Sequence, residues 1–334
     1  ERLGIVFRKA PARIRDPASP LTAPSWLPGA ELNIAESCFR ADASQTAILW
    51  ASEADPEIRR LTYGELRSLA GRVANGLEAL GIRRGDRVAL DMPMTPESVG
   101  IYLGVVLAGR VAVGIADASA PPDVEKRVRI AGAKAVFTID AYLRDGKDQH
   151  IYEKVAQGGA PRAIVLPAEG HETARLLRTA DLGWADFLSE DDRFDPVPCK
   201  PADPTNILFS SGTTKDPKAI VWTQTTPIKG AADAHFHHDV HQDDILAWPT
   251  SFGWMMGPWL TYASLINRAA MALYVGATQR RAYGEFIARA GVTMLGVVPK
   301  LVRGWKADRV MEGLDWSRIR RFSSTGETSS PEEM

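Results

Sequence analysis

The sequence has 334 residues, of which 45% are hydrophobic and 24% are charged, and its formal net charge is −1. This length supports more than one hydrophobic core and is too long for a single small domain. The balanced charge argues against a nucleic-acid-binding protein, which would carry a basic patch, and predicts no attraction to an anionic membrane. Cys38 and Cys199 are too far apart in sequence to suggest a disulfide framework, which favours a reducing compartment.

The first residues show no charged leader followed by an apolar run, so we expect no secretory signal peptide. Because the sequence starts with Glu1 and not with Met, we expect further residues to precede it. The most apolar stretch, 99–116, contains Arg110 and four glycines. This pattern favours a buried helix followed by a buried strand over a stable membrane span.

Strands and helices are predicted to alternate along the chain after an extended lead-in that is rich in Pro and Arg. Thr62 and Glu65 have the spacing of a capping box, so a helix is expected to begin there and to end at Gly81. A helix followed by a short strand is predicted within 33–50. The first series then continues with strand 87–90, helix 96–108, strand 111–115, helix 124–131 and strand 135–139. The second series comprises strand 207–209, helix 225–235, strand 245–248, helix 259–268, strand 272–275, helix 284–290 and strand 294–298.

Alternation of this kind predicts βαβ units and parallel sheets, and therefore an α/β fold. A loop rich in Asp and Pro at 190–204 separates the two series. We therefore expect two stacked α/β subdomains, one of residues 1–195 with the extended lead-in and one of residues 196–334.

The segment from Ser210 to Lys218 is the most informative part of the sequence. It follows a predicted buried strand and contains four hydroxyl side chains, one Gly and two Lys within nine residues. Hydroxyl and backbone N–H donors beside a Gly can surround a polyphosphate, and Lys supplies a positive charge. A flexible surface turn is the alternative for the Ser/Thr run alone. The segment does not match the GxxxxGK[ST] pattern, which disfavours a P-loop kinase or GTPase.

This segment resembles the phosphate-loop signature [ST]SGTTGxPK of the adenylate-forming superfamily, which contains acyl-CoA synthetases, luciferases and peptide-synthetase adenylation domains. Lys215 stands where that signature usually has Gly. Other segments resemble the acetyl-CoA-synthetase-like branch, and most of all its plant acyl-activating enzymes. They are WLPGAELNIA at 26–35, RGDRVAL at 84–90, DMPM at 91–94, IAD at 115–117, FGWMMGPW at 252–259, GVVPK at 296–300 and STGET at 324–328.

The resemblance implies ATP-dependent activation of a small carboxylic acid to an acyl-adenylate, followed by thioester formation with coenzyme A. ATP, Mg²⁺ and coenzyme A are the implied cofactor and co-substrates. Triphosphate binding is implied for Ser210, Ser211, Gly212, Thr213, Thr214 and Lys218, with Thr214 and Lys218 catalytic. The other implied sites are adenine at Gly326, Glu327 and Thr328, the acyl group at Gly253, Trp254, Met255, Met256 and Val298, and coenzyme A at Arg144 and Lys147. No residue is assigned as a metal ligand, because Mg²⁺ is expected to bridge phosphate oxygens.

Each of these sites has an ordinary structural alternative. Trp254 and the two methionines could be core residues, although the flanking glycines favour a pocket wall. Glu327 could be a solvated surface acid, and Arg144 with Lys147 could belong to a solvated loop. His235, His237, His238 and His241 form a cluster without a metal-binding motif, and we expect them at a surface helix end.

The superfamily also has a Mg²⁺-binding Glu motif, a ribose-binding segment, a hinge and a small C-terminal domain with a catalytic Lys. None of these is found before Met334, so the sequence is expected to be a fragment that is inactive alone. Two alternatives stay open: an adenylation domain that loads a carrier protein, and a truncated, non-catalytic nucleotide-binding protein. A cytoplasmic or peroxisomal location is compatible with the sequence.

Overall fold

The computed structural model describes residues 2–210 and 216–330. The strands are β1 (Thr46–Ser52), β2 (Arg59–Thr62), β3 (Arg87–Asp91), β4 (Val111–Ile115), β5 (Ala135–Ile139), β6 (Tyr142–Arg144), β7 (Lys147–Gln149), β8 (Ala163–Leu166), β9 (Leu182–Gly183), β10 (Pro204–Ser210), β11 (Lys218–Thr223), β12 (Ile245–Ala247), β13 (Ala270–Val275), β14 (Met294–Val297) and β15 (Arg321–Ser324).

A 3₁₀ helix at Ile34–Phe39 precedes β1, where the sequence predicted an α-helix. The α-helices are α1 (Tyr63–Ala79), α2 (Pro96–Leu107), α3 (Pro121–Ala131), α4 (Ile151–Gln157), α5 (Trp184–Phe187), α6 (Thr226–His237), α7 (Met256–Ile266), α8 (Arg281–Ala290) and α9 (Pro299–Asp308).

Two sheets form the framework, and most neighbouring strands in them are parallel. One sheet has the order β11-β10-β4-β3-β5-β8-β9 and the other β15-β14-β12-β13-β1-β2. Within the two sheets, the antiparallel pairs are β10–β11 and β1–β2, each at a sheet edge. The predicted α/β class with parallel sheets is therefore confirmed.

Strand membership crosses the predicted subdomain boundary at residue 195. β1 and β2 belong to the sheet of the second series, because β1 pairs with β13 over Ile48↔Met271 to Ser52↔Val275. β10 and β11 belong to the sheet of the first series, where β10 pairs with β4. Each sheet is thus completed by strands from both sides of residue 195, and the division into 1–195 and 196–334 stays a prediction.

Local signals explain where the first helices begin. Thr62 accepts a hydrogen bond from the backbone N–H of Glu65, and the Glu65 carboxylate accepts one from the Thr62 backbone, which confirms the capping box of α1. The apolar run 99–116 is the buried helix α2 followed by β4, as predicted. Its Arg110 donates to the backbone oxygens of Ile82 and Ala108, which satisfies the buried guanidinium. No described helix has the length and apolarity that crossing a bilayer requires.

The two sheets meet where a backbone turn lies directly on β4. A Cβ atom built on Gly114 would lie 1.9 Å from the Phe252 carbonyl oxygen, and one on Gly253 would lie 2.2 Å from the Ala116 nitrogen. Only glycine allows backbones to approach so closely. Gly114 and Gly253 therefore set how near the turn after β12 can come to β4.

A buried tyrosine packs against the same contact between the two sheets. The ring of Tyr102, on α2, stacks on Phe252 with 4.5 Å between ring centroids. Its hydroxyl donates to Asn206 Oδ1 of β10 at 2.9 Å. Tyr102 thereby links the turn after β12 to β10, the strand that leads into the segment 210–218.

Gly114→Ala should destabilise the protein by about 3 kcal/mol, because its methyl group would overlap a backbone oxygen that cannot move independently. Gly304→Ala is the matched control. Gly304 lies within α9, and a Cβ added there meets no atom within 4 Å. This control should gain roughly 0.5 to 1 kcal/mol from its higher helix propensity. Denaturant unfolding measures both values, and equal stabilities of the two variants would contradict the close packing.

Candidate functional site

The carboxyl ends of the parallel strands lie close to several of the predicted site segments. β3, β4 and β10 end at one edge of their sheet, and β12, β14 and β15 do so in the other. The contact between Gly114 and Phe252 brings these edges together. Open α/β sheets bind ligands at such edges. The cleft between the edges is therefore the candidate site.

The predicted phosphate segment connects two strands of a hairpin. Ser210, the last residue of β10, lies opposite Lys218, the first residue of β11. The sequence interpretation treated Lys218 as a loop residue and missed β11, although the run Ala-Ile-Val-Trp-Thr that follows is typical of a strand. Lys218 is exposed. Ser211, Gly212, Thr213 and Thr214, together with Lys215, lie outside the described residues.

Pairing of β10 with β4 locates this hairpin relative to the turn after β12. Ile207 lies opposite Val113 in the parallel ladder, so Ser210 is expected at the level of Ala116, against which Gly253 packs. Ser210, where the predicted phosphate segment begins, thus lies at the same sheet edge as the predicted acyl segment.

The predicted acyl segment is a tight turn that runs into α7. Gly253 and Gly257 pack against backbone on one side, so the side chains between them project from the other. Trp254 is 59% exposed and Met255 53% exposed, whereas Met256 is half-buried as the first residue of α7. The helix begins three residues earlier than predicted because Gly257 and Pro258 fit its first turn. Trp254 and Met255 therefore point away from the core, whereas Met256 packs against it.

The predicted adenine turn lies at the end of β15. Gly326 has φ +92°, a conformation that favours glycine, and a Cβ there would lie 3.5 Å from Val298 Cγ1. Glu327 accepts a hydrogen bond from Arg303 at 3.2 Å, and Thr328 is exposed. The predicted adenine turn therefore lies beside Val298, one of the predicted acyl residues.

The predicted coenzyme A residues lie on the β6–β7 hairpin, opposite each other across its two strands. Arg144 Nη1 lies 3.6 Å from Asp117 Oδ2, an oxygen that also accepts a hydrogen bond from the Tyr142 hydroxyl at 2.5 Å. Lys147 is exposed. Asp117, in the loop after β4, therefore anchors the base of this hairpin at the cleft.

Arg144 and Trp254 line a common pocket of about 290 Å³. Asp117, Trp248 and Tyr274 contribute to the same wall. This volume is at the lower end of the range of ligand pockets. The lining combines aromatic surface with one cation and one carboxylate, which suits a ligand that has an apolar part and an anionic group.

A buried carboxyl group at this edge was not singled out from the sequence. Asp91, the last residue of β3, is almost completely buried, and its Oδ1 has no hydrogen-bond partner among the described residues. Burial, together with the charge of Asp117, raises the pKa of Asp91 to about 8, although Lys154 and Arg127 oppose this shift. The sequence signal that could have indicated this buried carboxyl group is an aspartate at the end of a mostly apolar strand.

The histidine cluster lies at the C-terminal end of α6, as predicted. His238 contacts Ser323 Oγ at 3.0 Å, His235 contacts the Val240 oxygen, and His241 contacts Asp239. Within 2–210 and 216–330, no group of three or more His, Cys, Asp or Glu side chains is arranged to hold a metal ion. These contacts assign the histidines a structural role at the helix end.

Asp91→Asn should stabilise the protein, and increasingly so as the pH rises. The pKa of Asp91 is raised to about 8 from an ordinary value of 3.8, so the native state holds a proton that the unfolded state releases. Stability of the parent protein is therefore lost between roughly pH 4 and pH 8, while Asn does not titrate. At about 1.4 kcal/mol per pKa unit, the variant should gain a few kcal/mol at pH 8.

Denaturant unfolding of both proteins at a series of pH values measures this gain. Parallel stability curves, with no change of the difference between pH 5 and pH 8, would show that Asp91 is already ionised in the native state.

Comparison with known proteins agrees with this architecture. The sequence model of AMP-binding enzymes matches residues 36–334. The chain is 43% identical to hexanoyl-CoA synthase from Cannabis sativa and 45% identical to probable acyl-activating enzyme 17, peroxisomal, from Arabidopsis thaliana. Both alignments cover 100% of this chain and 48% of the relative, so the chain spans about half the length of these curated relatives.

A solved structure shows the same arrangement of elements. Acetoacetyl-CoA synthetase from Streptomyces lividans matches with a TM-score of 0.90 and 27% sequence identity over 99% of this chain and 52% of that one. The sequence match covers most of the chain, and the structural match extends over both sheets. The chain therefore belongs to the AMP-binding enzyme family.

Proposed function

We propose that the protein is an acyl-CoA synthetase that activates a carboxylic acid with ATP and transfers the acyl group to coenzyme A. The meeting of β4, β10 and the turn after β12 carries this proposal. It brings Ser210, the first residue of a hydroxyl-rich segment that also contains lysine, close to the proposed acyl segment. Joining a triphosphate to an acyl group requires such proximity. Relatives named hexanoyl-CoA synthase and acetoacetyl-CoA synthetase support the same reaction class.

In the first step, a carboxylate oxygen attacks the α-phosphorus of ATP, and pyrophosphate leaves as the acyl-adenylate forms. Such a step needs charge neutralisation more than covalent help from the protein. Lys218 and Thr214 are proposed as catalytic residues that stabilise this charge, with Ser210, Ser211, Gly212 and Thr213 holding the phosphates. In support, Lys218 is exposed at the first position of β11, directly across from Ser210.

Mg²⁺ is proposed as the ion that neutralises the phosphate oxygens. Mg²⁺ usually keeps several waters and takes one or two protein ligands besides substrate phosphates. When bound, the ion would supply positive charge near the phosphates, and the residues proposed above would orient the nucleotide.

Adenine is proposed to lie on the turn formed by Gly326, Glu327 and Thr328. In support, this turn lies beside Val298. Val298 is proposed to hold the acyl group together with Gly253, Trp254, Met255 and Met256. Methionine side chains adapt to unbranched apolar chains, which favours straight-chain acids as substrates.

Coenzyme A, and not a carrier protein, is the proposed acyl acceptor. Arg144 and Lys147 put two cations on one short hairpin at the cleft, where they can bind the phosphates of a nucleotide. A cytoplasmic or peroxisomal location is proposed, and the word peroxisomal in the names of two Arabidopsis thaliana relatives supports the second.

Carboxylate-dependent ATP–pyrophosphate exchange tests the adenylation step, with a panel of straight-chain acids and the protein expressed from its complete reading frame. Exchange is expected with at least one acid. Lys218→Ala should reduce the exchange rate by about 100-fold, because the variant loses a cation at the reacting phosphates.

Lys229→Ala serves as the control for Lys218, since Lys229 pairs with Asp233 on the surface of α6. Absence of exchange with every acid would refute the proposed reaction. Equal rates in the two lysine variants would remove Lys218 from the catalytic residues.

Arg144→Glu should abolish thioester formation with coenzyme A and leave adenylate formation intact, because the reversed charge repels the nucleotide phosphates. Arg129→Glu provides the matched control, since Arg129 is exposed in the last turn of α3. Formation of acyl-CoA and pyrophosphate exchange are measured in parallel. Unchanged acyl-CoA formation by Arg144→Glu would instead favour a carrier protein as acceptor.

A further inference from the structure

One carboxylate holds the tip of the β6–β7 hairpin. Glu53, which follows β1, accepts a hydrogen bond from the Asp145 backbone N–H at 2.9 Å and another from that of Gly146 at 2.7 Å. It also accepts one from the Ala277 backbone N–H at 2.9 Å. Partial burial acts to raise the pKa of Glu53, but these three hydrogen bonds hold it below the ordinary value. The carboxylate is thus bound as an anion.

The shape of the turn explains why its N–H groups converge on one anion. Asp145 and Gly146 are the only residues between the paired strands, and their φ values of 55° and 69° are both positive. Such a two-residue turn joins strands of the natural twist, and successive N–H groups in this conformation form an anion-binding concavity. In this protein, the Glu53 side chain fills the concavity.

The interaction connects the two sheets. The hairpin follows β5 of one sheet, whereas Glu53 and Ala277 follow β1 and β13 of the other. Arg280 adds a second connection, since its Nε donates to Asp145 Oδ1 at 2.7 Å. The tip is therefore held from the sheet opposite to the one that carries the hairpin.

Arg144 and Lys147 flank this tip directly. The base of the hairpin is held by Asp117, and the tip by Glu53, so both ends of the short ladder are fixed. An arginine or lysine on a free hairpin would lose conformational freedom on binding an anion, and a fixed backbone reduces that loss.

We propose that Glu53 is a positioning residue for coenzyme A, which acts by holding the β6–β7 hairpin so that Arg144 and Lys147 face the incoming nucleotide. This inference rests on the proposed role of these two cations in binding coenzyme A. Glu53 itself is not expected to touch the ligand, because its carboxylate is occupied by the three backbone N–H groups.

Glu53→Gln tests the inference, with Glu57→Gln as the control for the same chemical change in the same loop. The amide has a single acceptor oxygen, and its NH₂ group opposes the backbone donors. Amide hydrogen exchange at Asp145 and Gly146 should become at least about tenfold faster in Glu53→Gln and stay unchanged in Glu57→Gln. The dissociation constant for coenzyme A, measured by calorimetry, should rise by about tenfold, while that for ATP stays unchanged.

Arg280→Ala removes only the second connection and should produce the same two effects with a smaller magnitude. This variant provides independent evidence in case Glu53→Gln fails to fold. Unchanged exchange at the hairpin tip in Glu53→Gln would overturn the inference. Faster exchange with an unchanged affinity for coenzyme A would overturn it as well, while leaving the proposed function intact. If the parent protein binds no coenzyme A, the proposed role of the hairpin fails together with this inference.

Discussion

The structure depends on one close backbone approach, between β4 and the turn that follows β12. Two glycines make it possible: at Gly114 an added Cβ would lie 1.9 Å from the Phe252 carbonyl oxygen, and at Gly253 one would lie 2.2 Å from the Ala116 nitrogen. Any residue larger than glycine at either position would push the two sheets apart. Because the strands that end here lead into the proposed phosphate and acyl segments, this backbone contact fixes how close Ser210 and the turn after β12 can come.

The alternation of strands and helices, the capping box of α1 and the helix–strand pair at 99–116 could all be predicted, because each depends on a local pattern of polarity or hydrogen bonding. The assignment of β1 to the second sheet could not, since only its partner β13, far along the chain, specifies it. β11 could not be predicted with the same ease, because it is an exposed edge strand that lacks the alternation of buried and exposed residues. For the site, the motifs predicted the segments, but pairing register and tertiary contacts were needed to show which described residues lie near one another.

The carboxyl groups at the cleft have two kinds of environment. Asp117 holds the base of the β6–β7 hairpin and Glu53 holds its tip, so both carboxylates stabilise the element that presents Arg144 and Lys147. Asp91 lies deeper, and there burial and the nearby charge of Asp117 favour its protonated form. Asp117 and Glu53 thus serve as structural anchors of the hairpin, whereas Asp91 is favoured in the neutral form.

The pairing of β1 with β13 also has a consequence for how the protein is made. Ile48 leaves the ribosome long before its partner Met271 has been synthesised. At the usual rates of translation, this delay is about 10 to 45 s. During that time β1, with its apolar residues Ile48 and Leu49, has no parallel neighbour to cover its edge, and such edges are prone to aggregate. Nascent chains of this protein should therefore need molecular chaperones until the codons for β13 have been read.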